Sequence, residues 1–380
     1  MEQFMSQQEP ERTKPRLQIT YPWHGDILNR HDGTETADAL TISVQGAARE
    51  GSRVTVNGIP ADMRGHSFRC AVPLRQRENV IACASAAGAA KPDHSIKVFW
   101  DKGSRPRYRF SVDDNIEFLK DLGTRPEDYS SLFDHWYLAF WRRMHQEFGA
   151  KIHINIYYQT VEQDFTLAQL PEKWREEWLA SADWLRLTFH ALQDMPARIY
   201  KDATYDEIAR DFDLVVREIK RFAGASLLSR ATTVHWAEAP RDACRALYDR
   251  GIRVLIGLFD RPPGGELTTG YYLPEATKDH IGTRDCWHDP ETHLTFVTCD
   301  AVVNALALDQ INVHLDNQAA SPHTGELMEL LIHEQYFRKE VAYCQPDVQD
   351  KVIRALEWVA KRGYQPMFWG DQCLGDLAGE

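Results

Sequence analysis

Arg107-Tyr108-Arg109-Phe110-Ser111-Val112-Asp113-Asp114 is the stretch on which the reading of the chain turns. A strand-like run ends in two adjacent carboxylates. Two acids at the end of a buried strand repel each other and lose hydration, so a shared proton or a bound cation is needed to hold them. On extended backbone their side chains diverge, which lets one bind a metal while the other faces a reacting water. The competing reading is structural: Asp113 or Asp114 caps a helical turn over residues 115–119.

Downstream of this strand the rhythm is strand, helix, strand, helix. Strands are expected over 151–157, 184–189, 232–235, 253–259, 294–297 and 328–332. Helices are expected over 130–148, 172–182, 205–222, 241–250 and 347–361. Such alternation predicts a mostly parallel sheet covered by helices, and the length suits a barrel, typically about 250 residues. In parallel barrels chemistry sits at the strand C-termini. Four strand ends carry suitable residues: Asp113-Asp114 after Val112, His190 after Phe189, His235 after Val234, and His333-Glu334 after Ile332. Imidazole and carboxylate together suit zinc or a similar divalent ion with an open position for water. Asp194, four residues beyond His190, shares its direction if a helical turn follows that strand.

Upstream, residues 17–100 read as about seven short strands separated by turns, with Asn57-Gly58 as a hairpin turn, and they predict a small β-sandwich. A polar tail covers 1–16 and a linker 101–106. The chain has 380 residues, and 44 Lys+Arg against 56 Asp+Glu give a net charge of −12. That balance argues against generic nucleic-acid binding. No apolar run is long enough for a membrane span or a secretion signal, so a cytoplasmic protein is expected. Seven cysteines without a C-x-x-C pair predict reduced, mostly buried thiols, with Cys70 and Cys83 able to pair only if the protein is exported.

At these residues the chain resembles the polysaccharide deacetylase superfamily, whose members remove N- or O-acetyl groups from sugars on a distorted (β/α) barrel. Phe110-Ser111-Val112-Asp113-Asp114 matches the family's aspartate motif, which implies Asp113 as general base and Asp114 as metal ligand. His190-Ala191-Leu192-Gln193-Asp194 stands where the family has His-x-x-x-His, with Asp194 in place of the second histidine. Leu331-Ile332-His333 matches the Leu-x-His motif, which implies His333 as general acid. Asn115 replaces the glycine that follows the aspartates. The family's arginine motif is absent beside His235, and Arg261-Pro262-Pro263 resembles it one unit too late. The third metal ligand is therefore His235 or Asp194, and His314 competes with His333 as acid. The run from Val54 to Ser85 resembles the immunoglobulin-like modules attached to bacterial carbohydrate-active enzymes, with a packing role favoured over sugar binding.

The resemblance implies an N-terminal immunoglobulin-like all-β sandwich followed by an α/β distorted (β/α) barrel. It also implies a divalent metal, expected to be zinc, and a carbohydrate partner, with neither nucleic acid nor membrane involved. Trp236, Trp287, Tyr271 and Tyr272 are candidates for stacking on sugar faces, or for packing. The loop Asp285-Cys286-Trp287-His288-Asp289 with His293 is a weaker metal candidate. His135 and His145 read as surface or packing residues, and Trp174, Trp178 and Trp184 as core. Two functions fit: a metal-dependent carbohydrate deacetylase-like hydrolase, or a non-catalytic glycan-binding protein on a degenerate scaffold of the same kind.

Overall fold

A computed structural model describes residues 17–85, 91–259 and 269–370. The chain divides into two compact units, Met1–Gly103 and Ser104–Glu380. Among the described residues no helix is long and apolar enough to cross a membrane.

The first unit is all-β, with two sheets around one core. One sheet runs Gln18–Tyr21, Leu40–Ala47, Ser67–Leu74, Asp62–Arg64, with Gly33–Glu35 paired to Leu40–Ala47; the other runs Ile27–Leu28, His94–Trp100, Glu78–Ala84, Thr55–Val56, Ile59–Pro60. Strict alternation explains the packing. Leu40, Ile42 and Val44 turn inward from one sheet and meet Ile81, Cys83, Ile96 and Val98 from the other. Asn57 and Gly58 both take positive φ (49° and 79°), as a two-residue hairpin turn requires. Cys70 and Cys83 are free and lie in different sheets, so they are not on neighbouring strands.

The second unit is a parallel α/β assembly. Its larger sheet is ordered Leu185–Ala191, Ile152–Tyr157, Arg107–Asn115, Leu327–His333, Ala301–Val302, with Gln365–Pro366 alongside Arg107–Asn115. A smaller sheet holds Ala231–Thr232, Val254–Gly257 and Thr295–Thr298 in parallel, plus the antiparallel Cys286–His288. The sheets succeed one another around a barrel-like ring. On one side the chain steps between them at two residues: Cys299 N–H donates to the Gly257 carbonyl (2.8 Å) and Asp300 N–H to that of Glu329 (3.0 Å). On the other side a single bridge joins Leu187 to Leu228. The Ile152–Tyr157 and Val254–Gly257 strands are buried along their whole length, as expected of strands packed on both faces.

Helices cover the outside. Tyr205–Phe222 starts at Thr204, whose side chain and that of Glu207 form a reciprocal capping box, and it buries Ile208, Phe212, Val215 and Ile219 on one stripe. The helix expected over 130–148 is split. Ser131 and Asp134 cap a short 3-10 turn, Leu132–Asp134, and His135 then caps the helix Trp136–Phe148. His135 is fully buried, as are Trp174, Trp178 and Trp184 to within a few per cent.

Candidate metal centre

Two irregularities of strand register build the site. Against Ile152–Tyr157, the partner of Val112 is Ile154 and that of Asn115 is Ile156, so one extra residue bulges between them. Asp114 sits in that bulge with φ 62°, a left-handed conformation. The extended backbone expected at the aspartate pair therefore stops at Asp113, and the left-handed turn at Asp114 brings both carboxylates into one cavity. A second bulge falls at His190, because Ile156 pairs with Phe189 but Tyr157 with Ala191. The capping alternative for the acids does not apply either. The N-terminus of helix Glu117–Thr124 is capped by the buried Glu334, whose carboxylate accepts the N–H groups of Ile116 (2.9 Å), Glu117 (3.1 Å) and Phe118 (2.7 Å).

The cavity encloses about 430 Å3 and is lined by Asp113, Asp114, His190, His235, Trp236 and His333, among others. Ligand-type atoms of Asp114, His190 and His235 all lie within 4.8 Å of one another. His190 Nε2 is 3.0 Å, and His235 Nε2 3.9 Å, from Asp114 Oδ1. Those distances bracket the ~3.3 Å separating neighbouring ligands bound tetrahedrally about 2.0 Å from a zinc ion. His190 Nδ1 faces the Thr233 carbonyl at 2.6 Å and donates its proton there. Its Nε2 then confronts a carboxylate oxygen, and the two need either a second proton or a shared cation between them. This is the donor set of a divalent-metal site, with the histidine oriented by a backbone carbonyl.

Electrostatics agree with the geometry. Burial alone would raise the Asp114 carboxyl, but the hydrogen bond from His190 and the charges of His333, His190 and His235 outweigh it and hold it well below its ordinary value. Burial would lower His190; the Asp113 charge, Asp114 and the Thr233 carbonyl reverse that and raise it.

Other parts complete the centre. Asp113 is 3% exposed and accepts a hydrogen bond from the Asn155 side-chain amide. Tyr157 O–H donates to Asp114 Oδ1 at 2.5 Å, and Gln335 Nε2 to Asp114 Oδ2 at 2.9 Å. Neither Asn155, Tyr157 nor Gln335 stands out as a site residue in the sequence. The signal for the first two is the polar residue at every second position of the buried strand: His153, Asn155, Tyr157. Asp194 reaches the site without the expected helical turn and brings its Oδ1 within 3.3 Å of both His235 Nε2 and the Tyr157 hydroxyl.

The remaining sequence candidates separate. His333 lines the cavity, its Nδ1 2.9 Å from Asn304 Oδ1. His314 does not line it, and its Nε2 lies 2.6 Å from the Asp300 carbonyl. Trp236 lines the cavity and is 45% exposed. Trp287, Tyr271 and Tyr272 are not among its lining residues; all three pack on Phe296. Tyr271 donates its hydroxyl to the Ile256 carbonyl (2.7 Å), and Tyr272 donates to Asp289 (2.6 Å). Those contacts fit the packing alternative for the three: their rings lie against Phe296, and the two tyrosine hydroxyls are engaged inside the fold. In the loop 285–289, Asp289 ties down Tyr272 and Thr292, and His288 Nδ1 lies 3.0 Å from the Thr295 hydroxyl. Arg261-Pro262-Pro263 lies outside the described residues.

No family model matches the chain. No curated protein matches it either. Similar solved structures include CE4 family proteins, pseudoenzymes among them. A family 4 acetyl xylan esterase from Clostridium thermocellum, in complex with a cobalt ion, is 10% identical over 68% of this chain and 86% of its own, with a TM-score of 0.37. A mutant CE4 family pseudoenzyme with restored enzymatic activity is 10% identical over 72% and 74%, with a TM-score of 0.32. The 4-alpha-glucanotransferase from Thermococcus litoralis is 8% identical over 70% of this chain and only 40% of its own, with a TM-score of 0.43. Likeness at such scores carries no weight for function, which is read instead from the side chains lining the cavity.

Proposed function

We propose that the chain is a metal-dependent hydrolase that removes acetyl groups from a carbohydrate, with Asp114, His190 and His235 holding the cation. The observation that supports this is the convergence of those three side chains beside a second, buried carboxylate, Asp113. A divalent ion bound there would supply Lewis-acid polarisation of an acyl carbonyl and a water acidified for attack. Asp113, held by Asn155, accepts the proton released by the attacking water. His333 gives a proton to the departing amine or alcohol through the ring nitrogen that does not face Asn304. Trp236 offers an exposed aromatic face at the cavity for a sugar ring. The two-sheet N-terminal unit is proposed as an immunoglobulin-like packing module.

Metal content of the purified protein and acetate release from acetylated oligosaccharides test the proposal. Stoichiometric zinc or a similar ion, with turnover lost on chelation and in Asp114→Ala, is the expected result; turnover that survives both overturns it.

One observation favours a second reading, a glycan-binding protein without catalysis. Tyr157 and Gln335 already satisfy Asp114 by hydrogen bonds, so the carboxylate is paired without a cation. Glycan binding indifferent to chelators, without acetate release, selects that reading.

A further inference from the structure

The strand Ile152–Tyr157 presents His153, Asn155 and Tyr157 on one face, two residues apart. Each of the three meets a side-chain partner on the neighbouring strand Arg107–Asn115. Arg109 Nε donates to His153 Nδ1 (2.6 Å), Asn155 donates to Asp113, and Tyr157 donates to Asp114. One strand therefore supplies a separate donor to each of the two adjacent acids.

We propose that Tyr157 is a positioning residue for the cation site, a role that rests on reading Asp114, His190 and His235 as metal ligands. Its hydroxyl has one proton, and of the two acceptors near it Asp114 Oδ1, the oxygen facing both imidazoles, lies at 2.5 Å and Asp194 Oδ1 at 3.3 Å, so the proton goes to Asp114. The ring is buried, with its centroid 5.2 Å from that of His190 and 5.5 Å from that of His235. Phenol and imidazoles thus surround one carboxylate oxygen from three sides. The hydrogen bond fixes the carboxylate's rotation, so Asp114 does not have to be ordered when a cation arrives. Without it Asp114 keeps Gln335 on the other oxygen and His190 on this one, and the His190 contact is the one a cation would displace. Asn155 serves the neighbouring acid and touches none of the three ligands through its side chain: its amide bonds Asp113 and its Oδ1 lies 3.4 Å from the Thr232 hydroxyl. The two donors on one strand therefore have separable effects.

Calorimetric titration of the metal-free full chain with zinc or cobalt chloride tests this, together with the visible absorption of the cobalt form. Tyr157→Phe removes one hydroxyl and keeps the ring. It should weaken cation binding by about tenfold or more, the usual cost of losing a partner that orients a metal ligand, and alter the cobalt spectrum. Asn155→Ala should bind within about twofold of the unaltered chain, because the group it orients is not a ligand. A Tyr157→Phe protein that binds as tightly as the unaltered chain overturns the role of Tyr157 and leaves the proposed hydrolase intact. A Tyr157→Phe protein that does not fold without metal also overturns it, since the hydroxyl is then structural. An unaltered chain that takes up neither ion removes both this inference and the proposed function.

Discussion

Asp113 and His333 are register partners, directly opposite each other on the parallel strands Arg107–Asn115 and Leu327–His333. The proposed base and acid are thereby held side by side by backbone pairing, at the end of the strands where the cavity opens. Their separation is set by the sheet and not by a loop.

Their roles differ by leaving group, which makes them separable. Asp113→Asn should lower kcat by about 10²–10⁴-fold on every substrate, since the attacking water always loses a proton. His333→Ala should cost as much on an acetamido sugar but far less on 4-nitrophenyl acetate, whose leaving group departs without protonation. Equal losses on both substrates for His333→Ala rule out the acid role.

Cation removal should be visible in stability as well as turnover. A ligand present at about 100 times its dissociation constant stabilises the fold by about 2.7 kcal/mol. Thermal melts with and without chelator should differ for the unaltered chain and coincide for Asp114→Ala. A chelator shift that persists in Asp114→Ala places the ion elsewhere.

Glu334 carries a structural load from a position beside the site. Glu334→Ala strips the acceptor from three backbone N–H groups at the start of helix Glu117–Thr124. At about 1–3 kcal/mol for each of the two buried donors, those of Ile116 and Phe118, the loss should be about 2 kcal/mol or more. Urea unfolding measures it; a change under about 1 kcal/mol shows that water replaces the carboxylate.

The pH dependence of stability follows from two buried acids. Burial pushes Glu334 up to about 7, against the opposing pull of Arg338 and its backbone donors, and Glu329 up to about 7, against Arg109, Ser111 and Trp369. Between the ordinary value of 4.5 and about 7 the folded chain keeps protons that the unfolded chain has released. Stability therefore falls as pH rises through that window, by up to about 1.4 kcal/mol per pH unit for each group. Unfolding free energies of the metal-free protein at about pH 5 and about pH 7.5 should show the decline, and Glu334→Gln should make it shallower. Stability that rises across the window contradicts the sign.

Much of this architecture was legible because periodicity and strand ends are local signals. The helix expected over 205–222 is Tyr205–Phe222, since its apolar stripe and Thr204 cap are both written in the sequence. Asp113, Asp114, His190, His235 and His333 fall on one cavity because parallel strands deliver their C-termini to one rim. What escaped depends on register. A bulge inserts one residue without a sequence signature, so nothing revealed that adjacent aspartates turn to the same side. Aromatic type does not say which face is buried, which is why Tyr271, Tyr272 and Trp287 looked available. Asn155 and Tyr157 were detectable as polar residues inside an otherwise apolar strand, whereas Gln335 sits past a strand end with no periodicity to mark it.

The left-handed backbone at Asp114 has an evolutionary corollary. A residue with a side chain costs about 1–2 kcal/mol in that conformation, and glycine adopts it freely. Backbone strain alone therefore favours losing the side chain at this codon, while ion capture and the donors gathered on its carboxylate favour keeping it. A mutant library sorted for turnover should hold the carboxylate at 114 against that strain, and glycine should surface there only in lineages that no longer capture the ion.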